Sequence, residues 1–301
     1  MTSIEWTDKT WNPTRGCSLA SPGCTNCYAM RQAHRFSGKG RAYEGLTVLR
    51  NKGPVWTGEV RYAPEVITAP LRWKTQCRVF VNSMSDLFHE KLEDDVIDTV
   101  FAVMAICHMH ETLPSHTFQI LTKRAQRMRD YMRGLSIGEA RRRLASVGGA
   151  LMEDGDGWAD QLAHRMPWPL PNVWLGVSVE NQEYAAERLP LLLETPAAVK
   201  FVSYEPALGP VDFSPFLAID WLIVGGESGP KARPFDVAWA RSVIAQCKAA
   251  GVACFVKQLG GHAIDTLWWA DFRRELKSAK GGDMSEWPED LRVREWPEVQ
   301  P

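Results

Sequence analysis

The sequence predicts an α/β fold, a partial or complete TIM-like β/α barrel. Two observations predict it. Six short, nearly continuous apolar runs each end in polar or charged residues, and stretches of helical spacing separate several of them. A glycine- and proline-containing loop with three clustered cysteines stands ahead of that series, after one candidate strand. In a β/α barrel the C-terminal strand ends gather on one face, where active sites sit. A doubly wound sheet collects its polar ends mainly at one crevice, so six strands plus an earlier one favour the barrel.

The elements follow in order. Residues 1–16, with Trp6 and Trp11, read as a short strand running into the cysteine loop. Residues 26–36 read as a helix with Cys27 in its first turn, where the dipole favours a thiolate. Residues 37–62 show no period and read as a long loop with room for a short strand. The apolar runs are 78–82, 118–121, 173–178, 200–203, 221–224 and 253–256. Helical spacing marks 92–110, 183–193 and 237–250. Residues 134–170, basic at 141–143 and acidic at 153–157, read as an insertion in a barrel domain spanning 1–261. Residues 262–301, with Trp268-Trp269 and two Trp-Pro pairs, read as an extension packed on the barrel.

Composition narrows the class. The chain has 301 residues, 45% apolar and 24% charged, enough for a large core. A net charge of −1 provides no global field to recruit nucleic acid or an acidic membrane. There is no run of about 18 apolar residues and no leader-like apolar start, so a cytoplasmic protein with no membrane span is expected. Seven cysteines is an odd number for a disulfide framework. Cys77, Cys107, Cys247 and Cys254 stand singly in apolar settings and read as buried small hydrophobes.

Cys17, Cys24 and Cys27 differ: they fall within one loop, spaced C-x6-C-x2-C. Three thiolates leave one coordination position open. His34 would close a Cys3His zinc site. Without a fourth protein ligand the set suits a [4Fe–4S] cluster with one open iron. The spacing admits both; the loop's position ahead of a parallel series selects iron–sulfur.

A three-cysteine loop after the first strand of such a barrel resembles the radical S-adenosylmethionine (SAM) superfamily. More closely, the chain resembles the phage- and bacteria-associated three-Cys-motif family, which is radical-SAM-like. The matching pieces include Trp11-Asn12-Pro13, Gly16-Cys17, Pro22-Gly23-Cys24 with Cys27-Tyr28, and Asn82 to Phe88. They continue with Leu121 to Arg124, Trp174 to Ser178, Glu205-Pro206, Val224 to Gly229 and Lys257-Gln258. The resemblance implies that Cys17, Cys24 and Cys27 hold three irons and that the fourth chelates SAM. One-electron reduction, supplied by a donor protein, would then yield a 5′-deoxyadenosyl radical. Two features depart from the superfamily. Its commonest spacing is C-x3-C-x2-C with an aromatic before the last cysteine, whereas here the first gap is six and Tyr28 follows. Its Gly-Gly-Glu element follows the second strand, whereas Gly225-Gly226-Glu227 ends a late one.

Candidate site residues lie at the strand ends. Asn82, Ser83, Ser85 and Asp86 are candidates to hydrogen-bond SAM, with helix capping by Asp86 as the structural alternative. Ser178, Glu180, Asn181, Gly225, Gly226 and Glu227 are further cofactor candidates. Glu205 and Lys123 are the catalytic candidates, a carboxylate for acid/base work and a cation for an anionic group. A salt bridge of Glu205 with Lys123 or Lys257 is the alternative. Arg124, Arg127, Arg141, Arg142 and Arg143 form a basic stretch that would follow a nucleic-acid backbone, or else a solvated helix face.

The expected function is a radical-SAM-type enzyme acting on DNA, RNA or a nucleotide. Two alternatives stay open: a zinc-stabilised, non-catalytic nucleic-acid-binding protein, and a cluster protein without SAM chemistry.

Overall fold

The computed structural model of the chain describes residues 4–136, 138–153, 157–229, 231–266, 270–271 and 276–298. The fold is mixed α/β. Its main strands are β1 (Lys9–Trp11), β2 (Arg78–Val81), β3 (Thr117–Thr122), β4 (Val173–Ser178), β5 (Val199–Tyr204), β6 (Trp221–Gly225) and β7 (Ala253–Gln258). They follow one another in a single sheet in chain order. The pairs β1–β2, β2–β3, β5–β6 and β6–β7 are parallel. A doubly wound sheet reverses its order at a switch point, and this one does not. Sequential order with β1 and β7 as its two ends is compatible with a partial β/α barrel. Every residue of β4 and β6 is buried, as expected for strands covered on both faces.

The chain divides into two units. The first comprises Met1–Leu19, Ala29–Leu175 and Glu194–Ala198. Within it, helix α2 (Asp94–Met109) buries ten residues, so its apolar surface is nearly continuous rather than a stripe. Helix α3 is Ala125–Gly134. The predicted insertion supplies α4 (Gly138–Leu151) and α5 (Trp158–Arg165). These two approach closely because Gly148 and Gly149 lack side chains: a Cβ at Gly148 would meet Leu162 Cδ1 at 2.1 Å. Asp154 and Asp156 of the acidic stretch lie outside the described residues.

Two expectations are corrected here. Within 37–62 the chain forms an antiparallel hairpin, Thr47–Arg50 with Gly53–Trp56, turning at Asn51-Lys52. It has no apolar alternation because one strand is largely exposed, with Leu49 at 68%. Cys27 stands just before helix α1 (Tyr28–Arg35), not in its first turn, because a 3-10 turn at Pro22–Cys24 leads into it.

The second unit comprises Ala20–Tyr28, Gly176–Leu193 and Val199–Pro301. Its long helices are α6 (Gln182–Leu193) and α7 (Val237–Ala250). Asp236 Oδ1 accepts from Ala238 N at 3.0 Å at the start of α7, and Gly251 ends the helix at φ +71°. The C-terminal extension packs on this unit's strands. Val256 N donates to Val293 O and Glu295 N to Cys254 O, both at 2.8 Å, so residues 293–295 cover the free edge of β7. Trp296 stacks on Trp221 with centroids 4.8 Å apart. Trp268 and Trp269 lie outside the described residues. Among the described residues, no helix is long and apolar enough to cross a membrane.

Candidate functional site

In the first unit, the ends of β1, β2 and β3 build one polar network. Asn82 follows β2 at φ +59°, a left-handed conformation that asparagine tolerates better than most residues. It is 2% exposed; its Oδ1 accepts from Thr14 N at 3.3 Å, while its buried Nδ2 has no partner among the described residues. Ser83 Oγ donates to Asn12 Oδ1 at 3.2 Å, and Ser85 Oγ donates to Thr14 O at 2.9 Å. Asp86 collects four donors. Thr122 Oγ1 (2.6 Å) and Phe88 N (3.0 Å) reach Oδ1; Lys123 N (3.1 Å) and Arg124 Nη1 (3.0 Å) reach Oδ2. Asp86 therefore ties the end of β2 to the end of β3, and Lys123 contributes its backbone to that tie.

Arg124 carries the network to the cysteine loop. Its Nη1 donates to Cys17 Sγ at 3.7 Å, its Nη2 to Ser18 Oγ at 2.7 Å and Ser18 O at 3.3 Å, and its Nε to Glu90 Oε2 at 3.2 Å. Burial would lower the pKa of Arg124, but the charges of Asp86, Cys17 and Glu90 outweigh it and raise the value. Burial would push the Glu90 carboxyl up; its own backbone N–H and the Arg124 charge bring it down to about 2. His89 Nε2 lies 2.9 Å from Ser18 Oγ, a spacing that suggests a nucleophile and its base. The tautomer argues otherwise. Lys91 N donates to His89 Nδ1 at 3.2 Å, so the proton sits on Nε2 and the ring donates to Ser18. Burial, and then the Arg124 charge, lower the His89 pKa.

In the second unit two strand-end carboxylates grip the rest of the loop. Ser21 Oγ donates to Glu180 Oε1 at 2.6 Å. Gly23 lies so close to Glu180 that a Cβ there would meet Oε1 at 2.4 Å. Fully buried Glu180 also pairs with buried Arg188, Nη1 to Oε2 at 3.2 Å, and the same nitrogen donates to Ser178 O at 2.8 Å. Glu227 Oε2 accepts from Asn26 Nδ2 at 2.9 Å and from Arg233 N and Nε at 3.0 Å. Arg233 Nη1 then reaches Pro22 O at 2.9 Å. Burial would raise the Glu227 pKa, but the hydrogen bonds from Arg233 and Asn26 prevail and lower it. Asn181 does a different job: its Oδ1 accepts from Tyr184 N at 3.2 Å and caps α6.

Glu205 pairs with Lys257, whose Nζ lies 3.0 Å from Oε1 and 3.2 Å from Oε2, and Ser203 Oγ donates to Oε2 at 3.3 Å. The salt-bridge alternative is thus the arrangement present. Gly225 is required by close approach: a Cβ would meet Glu205 Oε1 at 2.7 Å. At Gly226 it would meet Leu259 O at 2.4 Å. Both glycines serve strand-end packing.

The basic stretch is largely spoken for by its own unit. Arg127 donates to the carbonyls of His89 and Leu92 and to Asp94 Oδ1 at 3.2 Å. Arg141 donates to Met166 O, Arg142 to Glu139 at 2.6 Å, and Arg143 to fully buried Asp98 at 2.6 Å. With Asp130 and Tyr131, several of these side chains line a cleft of about 620 Å³.

None of the three loop cysteines forms a disulfide among the described residues. Two of the sulfurs accept hydrogen bonds. A guanidinium faces Cys17, and Ala20 N donates to Cys24 Sγ at 3.5 Å. Cys27 N donates to Cys24 O at 3.3 Å, which fixes the turn between those two residues. Among the described residues, no three His, Cys, Asp or Glu side chains are gathered as a metal ion needs. His34 Nδ1 is hydrogen-bonded with Thr47 Oγ1 at 3.1 Å.

Sequence reasoning missed Ser18, Ser21, Asn26, Arg188 and Arg233. The first three are plain polar spacers between the cysteines. The arginines sit six and eight residues beyond the carboxylates they serve, outside any local motif. No curated protein and no solved structure matches the chain. The model of the family described as "Protein of unknown function (DUF5131)" matches residues 1–288, and the chain belongs to that family.

Proposed function

We propose that the chain is a radical-SAM-type enzyme carrying a [4Fe–4S] cluster on Cys17, Cys24 and Cys27. One observation carries the reading. Strand-end side chains grip the segments that bear these thiols: in the first unit Arg124 holds Cys17 and Ser18, and in the second Glu180 holds Ser21 and Glu227 holds Asn26. Buried ion pairs such as Glu180–Arg188 are weak stabilisers relative to apolar packing, so fixing a loop is a better account of their presence than stability. The cluster's chemistry would be delivery of one electron to a bound SAM. The chain's own residues hold the loop, offer hydrogen bonds to its sulfurs, and present Asn82 Nδ2 as a donor in need of an acceptor.

The substrate class is a nucleotide or a nucleic acid. The ion pairs of Arg124, Arg127, Arg142 and Arg143 with acidic residues favour a small ligand over a long phosphate backbone. A zinc site closed by His34 has no observation in its favour.

The test is anaerobic analysis for iron, sulfide and zinc, then incubation with SAM and dithionite. Iron and sulfide in equal amount, with 5′-deoxyadenosine released, is the expected result. Zinc in both native and reconstituted protein sinks the enzyme reading.

A further inference from the structure

We propose that residues 29–58 form a binding surface for a single nucleic-acid strand, held through its phosphates. The inference rests on the nucleic-acid side of the reading above and needs no cluster.

The sequence sets the charge. Residues 29–58 hold six Lys or Arg and one Glu, a net +5 in a chain whose total is −1. A single-sign region of that size makes a local field that the overall balance conceals. The fold gathers these charges within the first unit. His34 Nδ1 is hydrogen-bonded with Thr47 Oγ1 at 3.1 Å, which ties the last turn of α1 to the start of the hairpin. Tyr43 N donates to Phe36 O at 3.4 Å and Thr57 N to Leu46 O at 3.0 Å, so the intervening loop is bound to both. Helix α1 buries Ala29, Met30 and Ala33, and carries Arg31 and Arg35 one turn apart. Arg35, Lys39, Arg41, Arg50 and Lys52 are exposed and Arg31 is half-buried. Glu44, the one carboxylate, accepts from Gly40 N at 2.6 Å.

What distinguishes this surface is that its charges are uncommitted. Among the described residues, no carboxylate pairs with Arg31, Arg35, Lys39, Arg41 or Arg50. By contrast Arg124, Arg127, Arg142 and Arg143 each face an acidic partner. An ion pair must break before such an arginine takes a phosphate, whereas at 29–58 a phosphate displaces only water and counterions. The 124–143 stretch is left to a small ligand, and a strand is held at 29–58.

The chemistry selects the partner. Four of the six cations are arginines, whose planar fork matches a phosphate with two parallel hydrogen bonds. Phe36, next to Arg35 in the chain, is 49% exposed and offers a ring face on which an unpaired base can stack. An acidic bilayer would need an apolar face beside the charge. Helix α1 has its apolar face in the core, and among its large apolar side chains the hairpin exposes only Leu49.

The experiment follows the fluorescence anisotropy of a labelled strand of about 20 nucleotides, as DNA and as RNA, titrated with the full chain at several salt concentrations. The variants are Arg35→Gln, Arg41→Gln, Arg50→Gln, their triple combination, and Arg133→Gln as control. Arg133 is exposed and pairs with Glu194 at 3.2 Å, so its loss changes the net charge equally without touching the surface. Wild type is expected to bind with a steep salt dependence, and the tighter of the two strands names the sugar. Each surface variant should lower the slope of log K against log salt by about 0.7, the triple variant by about 2, and Arg133→Gln not at all. Lysine at the same three positions should keep the slope, which separates charge from folding. Phe36→Ala should weaken the single strand and leave the corresponding duplex unaffected; equal effects on both overturn the single-strand assignment. A slope that the three variants leave unchanged, or that Arg133→Gln lowers as much, overturns the inference while nucleic acid stays the substrate. A wild type that binds phosphatidylserine vesicles and neither strand overturns the nucleic-acid reading with it, and leaves the iron and sulfide analysis to decide the cluster separately.

Discussion

Ser21 donates its hydroxyl to Glu180 at 2.6 Å, and through that bond a cysteine loop near the N-terminus is fastened to the end of a central strand. The carboxylate is fully buried and its other oxygen meets Arg188. Removing it leaves a buried guanidinium uncompensated, which costs about 3–5 kcal/mol. Glu180→Ala should therefore lose stability on that scale in urea unfolding. Ser21→Ala, which leaves the ion pair intact, should cost only about 1 kcal/mol. Equal losses would show that the loop contact, not the ion pair, dominates.

Glu227 makes the matching contact with Asn26 and Arg233. In Glu227→Gln the charge on Arg233 loses its partner and the grip on Pro22 and Asn26 loosens. Cys24, buried in the native protein, should then react faster with a thiol reagent in the metal-free state, with Cys77 as the internal buried control. An unchanged Cys24 rate would show that Glu180 suffices.

Gly225→Ala places a methyl 2.7 Å from Glu205 Oε1. The strand is buried throughout, so relief requires Glu205 to move off Lys257. Overpacking of this kind costs about 1–3 kcal/mol. Thermal unfolding reads the cost, and a double variant with Glu205→Ala should recover part of it if the clash is the cause.

Acid should weaken the fold before carboxylates titrate. His89, His108 and His116 all have pKa values lowered from 6.5 by burial. The folded state thus resists protonation that the unfolded chain accepts. Their contribution is full above the unfolded value and is lost as pH falls through the folded ones. Tm should drop as pH falls below about 6.5, and less steeply in His116→Gln. A second loss should come from Glu90, whose carboxyl at about 2 contributes above its ordinary value of 4.5 and ceases to as pH falls toward 2.

Deleting residues 292–301 removes the segment that covers the edge of β7 and the Trp296 stack on Trp221. Trp296 is only partly buried, so its loss should cost less than the about 3–5 kcal/mol of a core aromatic, and an uncovered edge strand invites pairing with other chains. The expected outcome is a lower Tm with concentration-dependent aggregation in light scattering. A monodisperse truncated protein of unchanged Tm would show the segment to be dispensable.

What the sequence by itself determined is the repeat. Apolar runs such as 173–178 and 221–224 are legible because parallel strands buried on both faces need nearly unbroken apolar residues. Their polar ends are legible as punctuation, and three cysteines within eleven residues are legible as one thiol-rich loop. The hairpin at 47–56 escaped because its exposed residues carry no burial pattern. Tertiary structure alone decided partners. Glu180 and Glu227 read equally well as ligands of a cofactor or as anchors of a loop, since a carboxylate at a strand end serves whichever donor comes within about 3 Å. The donors are Ser21 and Asn26, more than 150 residues away in the chain. A hydrogen bond depends on distance and direction in space, and neither is encoded in the spacing of residues along the backbone.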